Sequence, residues 1–293
     1  MNLTIREVGP RDGLQSERPL TVADRLALVR ALVSAGLREI EVAAFVSPRA
    51  VPAMAGAPEV VAGLPPAEGM TWWALVPNVK GAELAAAAGI DHLTMTVSAS
   101  ETYSRRNVGM STAESLQAAV EIASMAPVVD VAISAAFGSP YEGEIAPSLV
   151  ASLAQACRAA GAGVTLADTT GMATPRRVQA VLDATGTDVG LHLHDTRGTA
   201  LLNAYVAMEA GVRRFDTAVG GLGGSPFAAG AGGNLATEDL VHLCDDLDVR
   251  TGIDLGLLLD ASALVAQLVG RPVPSRVAAA GPRGRLADGA AEG

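Results

Sequence analysis

The residues best suited to chemistry lie in Gly190-Leu191-His192-Leu193-His194-Asp195-Thr196. Read as a β-strand, this stretch sends alternate side chains to opposite faces. His192 and His194 then point one way, and Leu191 and Leu193 the other. Two imidazoles on one face at a strand's end are a natural start for a metal site. The alternative is a pair of polar residues on a half-exposed strand edge, and the pair alone does not separate the two. Comparable groups are scarce elsewhere: the remaining histidines are His92 and His242, and Lys80 is the only lysine. Schiff-base chemistry therefore has one candidate, and imidazole chemistry few.

The elements that must position these residues recur at a regular interval. Strand-like segments span Leu3–Gly9, Arg38–Phe45, Thr71–Val76, His92–Ser98, Val129–Phe137, Gly163–Thr169, Val189–Asp195 and Arg213–Gly220. Ala- and Leu-rich helical segments separate them at Thr21–Ala35, Ser111–Ser124, Pro147–Ala160, Pro175–Ala184 and Thr199–Ala210. Several end in glycine just before the next strand (Gly36, Gly89, Gly161, Gly211), as helix C-caps do. Asp24, Thr112 and Thr174 lie at or near helix starts. Eight strands alternating with helices predict an α/β fold, a (β/α)₈ TIM barrel, with extra C-terminal helices near Thr237–Asp246 and Leu255–Leu268. An open doubly wound sheet would call for a glycine-rich phosphate loop after the first strand, and Glu7-Val8-Gly9-Pro10-Arg11-Asp12 is not one. The catalytic domain is expected to cover residues 1–270, with 271–293 as a flexible tail.

In such a barrel the catalytic groups come from the carboxyl ends of the strands. Those positions hold Arg11-Asp12, Glu41, Asp168-Thr169-Thr170-Gly171, His192-Leu193-His194-Asp195, and the glycine-rich loop from Gly220 through Ser225 to Asn234. Asp12, His192, His194 and Asn234 together offer oxygen and nitrogen donors without thiolate. That set suits Mg²⁺ or Mn²⁺ better than structural zinc. Each residue has a plainer use as well. Asp12 could pair with Arg11, Asp168 could cap a turn, Asn234 could cap a helix, and Glu41 could neutralise an arginine. So many such groups at one rim favour a metal-dependent site. The glycines of loop 221–233 let backbone approach or close over a ligand, or simply make a flexible connection.

Bulk properties narrow the function classes. With 293 residues, 49% hydrophobic and 18% charged, the chain is globular. A net charge of −10 disfavours a nucleic-acid partner. No apolar run reaches membrane-spanning length, and the N-terminus has no secretion signal. Cys157 and Cys244 alone provide no disulfide framework, which fits a cytoplasmic protein.

The segments Glu7–Gln15, Phe45-Val46-Ser47-Pro48, Pro140-Tyr141-Glu142-Gly143, His192–Thr196 and Asn234–Asp239 resemble the hydroxymethylglutaryl-CoA lyase family, in the same order from about residue 3 to about 270. The resemblance implies retro-Claisen cleavage of 3-hydroxy-3-methylglutaryl-CoA, an acyl-CoA, to acetyl-CoA and acetoacetate. It also implies a homodimer and a divalent cation on Asp12, His192 and His194, with Asn234 joining or supporting them. Arg11 would stabilise the thioester enolate, while Glu41 and Asp168 would relay protons or orient water. Gln15, Thr169 and Arg197 are expected to contact substrate. Arg105 and Arg106 are candidates for the CoA phosphates, with solvated surface charge as the plain alternative.

The chain departs from the family pattern at several positions. Ser225 stands where the family carries a cysteine, and an alcohol is a far weaker acid than a thiol. Ala44 replaces a hydroxyl residue, Ala132, Ala135 and Ala136 replace larger or more polar ones, and Arg197 and Thr199 replace Tyr and Gln. These changes leave open a lyase for another acyl-CoA such as citramalyl-CoA, with Arg197 reading an extra carboxylate. A catalytically weakened acyl-CoA-binding homologue is the non-enzymatic alternative. A lysine aldolase fits poorly, because Lys80 lies beyond the third strand.

Overall fold

The computed structural model describes residues 1–66, 68–224 and 233–284. Eight parallel strands close into a barrel in chain order, each hydrogen-bonded to its neighbours and β8 to β1. They are β1 (Thr4–Glu7), β2 (Glu39–Ala44), β3 (Thr71–Leu75), β4 (His92–Ser98), β5 (Val128–Ser134), β6 (Gly163–Ala167), β7 (Gly190–His192) and β8 (Arg214–Thr217). The expected TIM barrel is therefore the observed fold.

The helices α1 (Val22–Ser34), α2 (Ala57–Ala62), α3 (Val79–Ala87), α4 (Glu101–Val108), α5 (Thr112–Met125), α6 (Pro147–Ala159), α7 (Pro175–Thr185), α8 (Ala200–Ala210), α9 (Thr237–Asp246), α10 (Leu255–Val269) and α11 (Arg276–Ala280) accompany the strands. Side-chain caps fix their starts. Thr21 accepts the Asp24 N–H, Thr174 accepts that of Arg177, and Ser111 with Glu114 forms a full capping box. Thr112 is thus the first residue of α5, and its neighbour Ser111 is the cap. Lys80 sits in α3, outside the barrel wall, which removes it from Schiff-base chemistry inside the barrel. Within the stretch expected to be a tail, α11 docks on α9. Asp239 accepts hydrogen bonds from Ser275 Oγ (2.8 Å) and from the Val277 N–H (2.9 Å).

Strand alternation divides the sheet into two faces. Outward residues such as Ile40, Val42, Val131, Ile133, Leu166, Leu191 and Phe215 are buried in one apolar core with Leu28, Ile122, Val150, Val178 and Met208 of the helices. The inward face is polar at mid-height, where Arg6, Asp130, Thr165 and Asp216 meet across the lumen. No helix among the described residues is long and apolar enough to cross a membrane.

Candidate metal centre and active site

Immediately after β1 the chain makes a single π-type turn over Gly9–Gly13. The N–H groups of Arg11, Asp12 and Gly13 all donate to the Val8 carbonyl, at 3.1, 2.7 and 3.2 Å. Beneath the turn lies Glu7, fully buried. Its carboxyl accepts from Gly9 N (2.7 Å), Val219 N (2.8 Å) and Thr237 Oγ1 (2.6 Å). Glu7 thus ties the Arg11-Asp12 turn to the exit of β8 and the start of α9.

Regular pairing of β7 stops at His192, three residues short of the expected end at Asp195. Beyond it the chain pairs with the segment returning from the glycine-rich loop. Leu235 N donates to Leu193 O (2.8 Å), Asp195 N donates to Gly233 O (3.0 Å), and His194 bridges Asn234. The backbone therefore brings two expected ligands, His194 and Asn234, side by side.

Asp12, His192 and His194 are all buried, and one potential ligand atom from each lies within 4.8 Å of the others. The two Nε2 atoms are 3.1 Å apart, and His192 Nε2 lies 3.9 Å from Asp12 Oδ2. Asn234 donates through Nδ2 to Asp12 Oδ2 (2.7 Å) and to Leu222 O (2.8 Å), so it does not cap α9. Its Oδ1 is buried and has no protein partner. Convergent imidazole nitrogens, a carboxylate and an unpartnered amide oxygen fit a divalent cation, because each presents a lone pair that a buried site must satisfy. Gly223 closes one side. A Cβ there would lie 2.5 Å from Asn234 Nδ2 and 3.3 Å from Asp12 Oδ2 at φ +100°.

Behind the ligands lies a network that the sequence reading did not single out. His192 Nδ1 is 3.2 Å from Asp216 Oδ2. Asp216 also receives Arg6 through both oxygens, at 2.8 and 2.9 Å, and Arg6 reaches on to Asp130 at 2.8 Å. A carboxylate on Nδ1 leaves Nε2 as the lone-pair nitrogen and fixes the ring. The sequence signal was available: Arg6, Asp130 and Asp216 are charged residues within predicted strands, and all three are buried.

Charge follows this geometry. Burial opposes ionisation of Asp12, yet Arg11 and the two imidazoles hold its carboxyl below the ordinary value. Burial likewise opposes the His192 cation, but Asp216 and Asp12 raise its pKa. His194, buried and beside His192, is pushed down to about 4 and is therefore a neutral donor at neutral pH. Asp168 is raised to about 7, chiefly by burial.

The other expected site residues take defined places. Arg11 Nε donates to Glu41, which also accepts from Thr94, and Arg11 NH1 donates to Asp12 Oδ1 at 2.7 Å. Glu41 does neutralise an arginine, and in doing so it orients Arg11. Gln15 Nε2 donates to Asp12 Oδ1 (3.0 Å). Asp168 Oδ1 accepts from Met172 N (2.7 Å) and Ala173 N (3.0 Å), while its Oδ2 is buried without a partner. Thr169 Oγ1 accepts the Ala135 N–H at 3.0 Å. Arg197 NH1 donates to the carbonyls of Thr170 and Gly171, both at 2.8 Å, and so braces the loop after β6. Arg105 and Arg106 lie in the last turn of α4 and not in a loop, because Ser100 caps a helix there. Arg105 pairs with Glu101 (2.8 Å), and Arg106 lies over the Tyr141 ring (4.6 Å). Ser225 falls outside the described residues.

Residues 2–265 match the model of the HMGL-like family. The chain belongs to that family. It is 44% identical to the (R)-citramalyl-CoA lyase of Chloroflexus aurantiacus, over 96% of this chain and 95% of the relative. It is 40% identical to a hydroxymethylglutaryl-CoA lyase of Bacillus subtilis, over 94% of this chain and 95% of the relative. Among solved structures it is similar to an HMG-CoA lyase of Acinetobacter baumannii in complex with coenzyme A and 3-methylmalate. The TM-score is 0.92 at 39% identity, covering 98% of this chain and 97% of that one. The expected family and enzyme class, carbon–carbon lyase, are those of the HMGL-like relatives.

Proposed function

We propose that this protein is a divalent-metal-dependent lyase that cleaves a 3-hydroxyacyl-CoA to acetyl-CoA and an oxo acid. 3-Hydroxy-3-methylglutaryl-CoA would give acetoacetate. (R)-Citramalyl-CoA, which would give pyruvate, is the second candidate, favoured by the 44% identity to a relative named for it. The convergence of Asp12, His192 and His194 beside Arg11 carries the reading.

Asp12, His192 and His194 would hold the cation, Mg²⁺ or Mn²⁺, with Asn234 joining or bracing them. Bound there, the cation supplies Lewis-acid polarisation that lowers the pKa of the substrate hydroxyl. Cleavage removes that hydroxyl's proton, breaks the bond between C2 and C3, and sends the electron pair into the thioester as an enolate. Arg11 meets this developing charge. Its Nε and NH1 are committed to Glu41 and Asp12, which leaves NH2 to donate to the enolate oxygen. The guanidinium stays charged throughout, since Glu41 and Asp12 raise its pKa against the pull of burial.

Asp168, raised to about 7 by burial and with Oδ2 uncommitted, is suited to take up and return a proton near neutral pH. Ser225 is the candidate for delivering the final proton to the enolate carbon, more weakly than a thiol would. Gln15 and Thr169 would line the substrate, and Arg197 would act through the loop it braces. Arg105 and Arg106 would meet the CoA phosphates in a homodimeric assembly.

The test is product analysis by mass spectrometry after adding each CoA ester to metal-loaded protein. Acetyl-CoA with acetoacetate or pyruvate supports the reading. Tight CoA-ester binding with no acetyl-CoA from either ester would make the protein a binding homologue instead.

A further inference from the structure

Three adjoining strands place Arg6, Asp216 and His192 at one level of the barrel. In register, Arg6 of β1 faces Asp216 of β8, and Asp216 faces His192 of β7. All three are buried, and their side chains form one contact chain. Arg6 Nε donates to Asp216 Oδ1 (2.8 Å), Arg6 NH2 donates to Oδ2 (2.9 Å), and Oδ2 lies 3.2 Å from His192 Nδ1.

Buried carboxylates in this barrel are oriented in two ways. Glu7 and Asp168 accept backbone N–H groups, whose positions the fold itself fixes. Asp216 has no such donor. Among the described residues its hydrogen-bond partners are Arg6 and His192. An aspartate held only by one imidazole is free to turn about its last side-chain torsion, whose energy well is broad. Two parallel N–H···O bonds from a planar guanidinium remove that freedom.

The guanidinium is itself anchored, from three directions. Asp130 of β5, the strand opposite β1 in the closed barrel, accepts from NH2 (2.8 Å). Thr165 Oγ1 donates to the same Asp130 oxygen (2.6 Å). The Trp73 ring centroid lies 4.8 Å from the Arg6 guanidinium carbon, and Trp73 Nε1 donates to Glu39 (3.2 Å).

We propose that Arg6 is a positioning residue of the metal centre. It holds the Asp216 carboxylate with Oδ2 aimed at His192 Nδ1, and so keeps Nε2 of His192 turned toward Asp12 and His194. Lysine would keep the charge and lose this function, because one nitrogen cannot hold both oxygens in a plane. Asp130 balances charge at the other end of the guanidinium and does not touch the ligand. The inference rests on the metal-dependent reading above.

The test is calorimetric titration of the full chain with Mn²⁺, with thermal unfolding alongside. It compares wild type, Arg6→Lys, Asp130→Asn, Asp216→Asn and the double variant Arg6→Lys/Asp216→Asn. Arg6→Lys should weaken Mn²⁺ binding roughly tenfold, a usual cost of losing an outer-shell partner. In the Asp216→Asn background the same change should cost less than about twofold, because the residue it acts through is already lost. Asp130→Asn should lower the melting temperature by breaking a buried ion pair, yet leave Mn²⁺ affinity within about twofold of wild type. That contrast separates positioning from general destabilisation. Asp130→Asn also decides the matter if Arg6→Lys fails to fold. A tenfold loss of affinity in Asp130→Asn would assign the effect to the whole ion network and overturn the role of Arg6. Wild-type affinity in Arg6→Lys, or additive losses in the double variant, would overturn it too. A wild type that binds no Mn²⁺ would overturn the metal-dependent reading and this inference with it.

Discussion

His192 Nδ1 lies 3.2 Å from Asp216 Oδ2, and that same carboxylate accepts Arg6 through both of its oxygens. One buried carboxylate therefore fixes the ring of a candidate metal ligand and neutralises a guanidinium inside the barrel. Asp216→Asn should weaken Mn²⁺ binding by roughly 10- to 100-fold, the usual cost of losing a carboxylate behind a ligating histidine. It should also lower the melting temperature, because Arg6 keeps only Asp130 as a charged partner. Calorimetric metal titration and thermal unfolding read the two effects separately. Unchanged Mn²⁺ affinity would show that Asp216 serves only the fold.

Glu7 and Glu238 are buried carboxyls raised by desolvation to about 8 and about 7. Both hold the exit of β8, Glu7 through Val219 N and Glu238 through Gly220 N (2.9 Å). A carboxyl whose folded pKa exceeds its unfolded one binds more protons when folded. Its contribution to stability is complete below the unfolded value, near pH 4.5, and is lost as pH rises through 7 to 8. The chelator-treated protein should therefore melt at falling temperature from pH 5.5 to 8.5. Glu7→Gln should flatten that slope, and a slope identical to wild type would contradict the assignment.

The site was legible in the sequence where the signal was local. His192 and His194 share a strand face by simple alternation, and Asp12 follows the first strand directly. The supporting network was not legible in this way. Arg6, Asp130 and Asp216 lie 124 and 210 residues apart in sequence, and barrel closure alone brings them together. The early end of β7 was also hidden, because the partner of His194 is Asn234 on a returning loop and not an adjacent strand. Helix α4 was missed because Glu101–Val108 is polar and carries no apolar stripe, its stability coming from the Ser100 cap and from Glu142, which accepts the Thr102 N–H.

Arg197, the candidate reader of a substrate carboxylate, also makes backbone contacts. With NH1 on the carbonyls of Thr170 and Gly171, it holds the loop that follows Asp168. Arg197→Ala should reduce kcat/KM by similar factors, on the order of tenfold, for substrates with different acid termini. A loss confined to one substrate would instead place its guanidinium on that substrate's carboxylate.

In the proposed reaction, a divalent cation held by Asp12, His192 and His194 is required for carbon–carbon cleavage. The most direct test of this requirement is acetyl-CoA release from 3-hydroxy-3-methylglutaryl-CoA and (R)-citramalyl-CoA by chelator-stripped protein, before and after adding Mn²⁺ or Mg²⁺, alongside His194→Ala. The expected results are no release by the stripped protein, recovery on adding metal, and no recovery in His194→Ala. Full release by the stripped protein, or equal recovery in His194→Ala, would contradict the requirement.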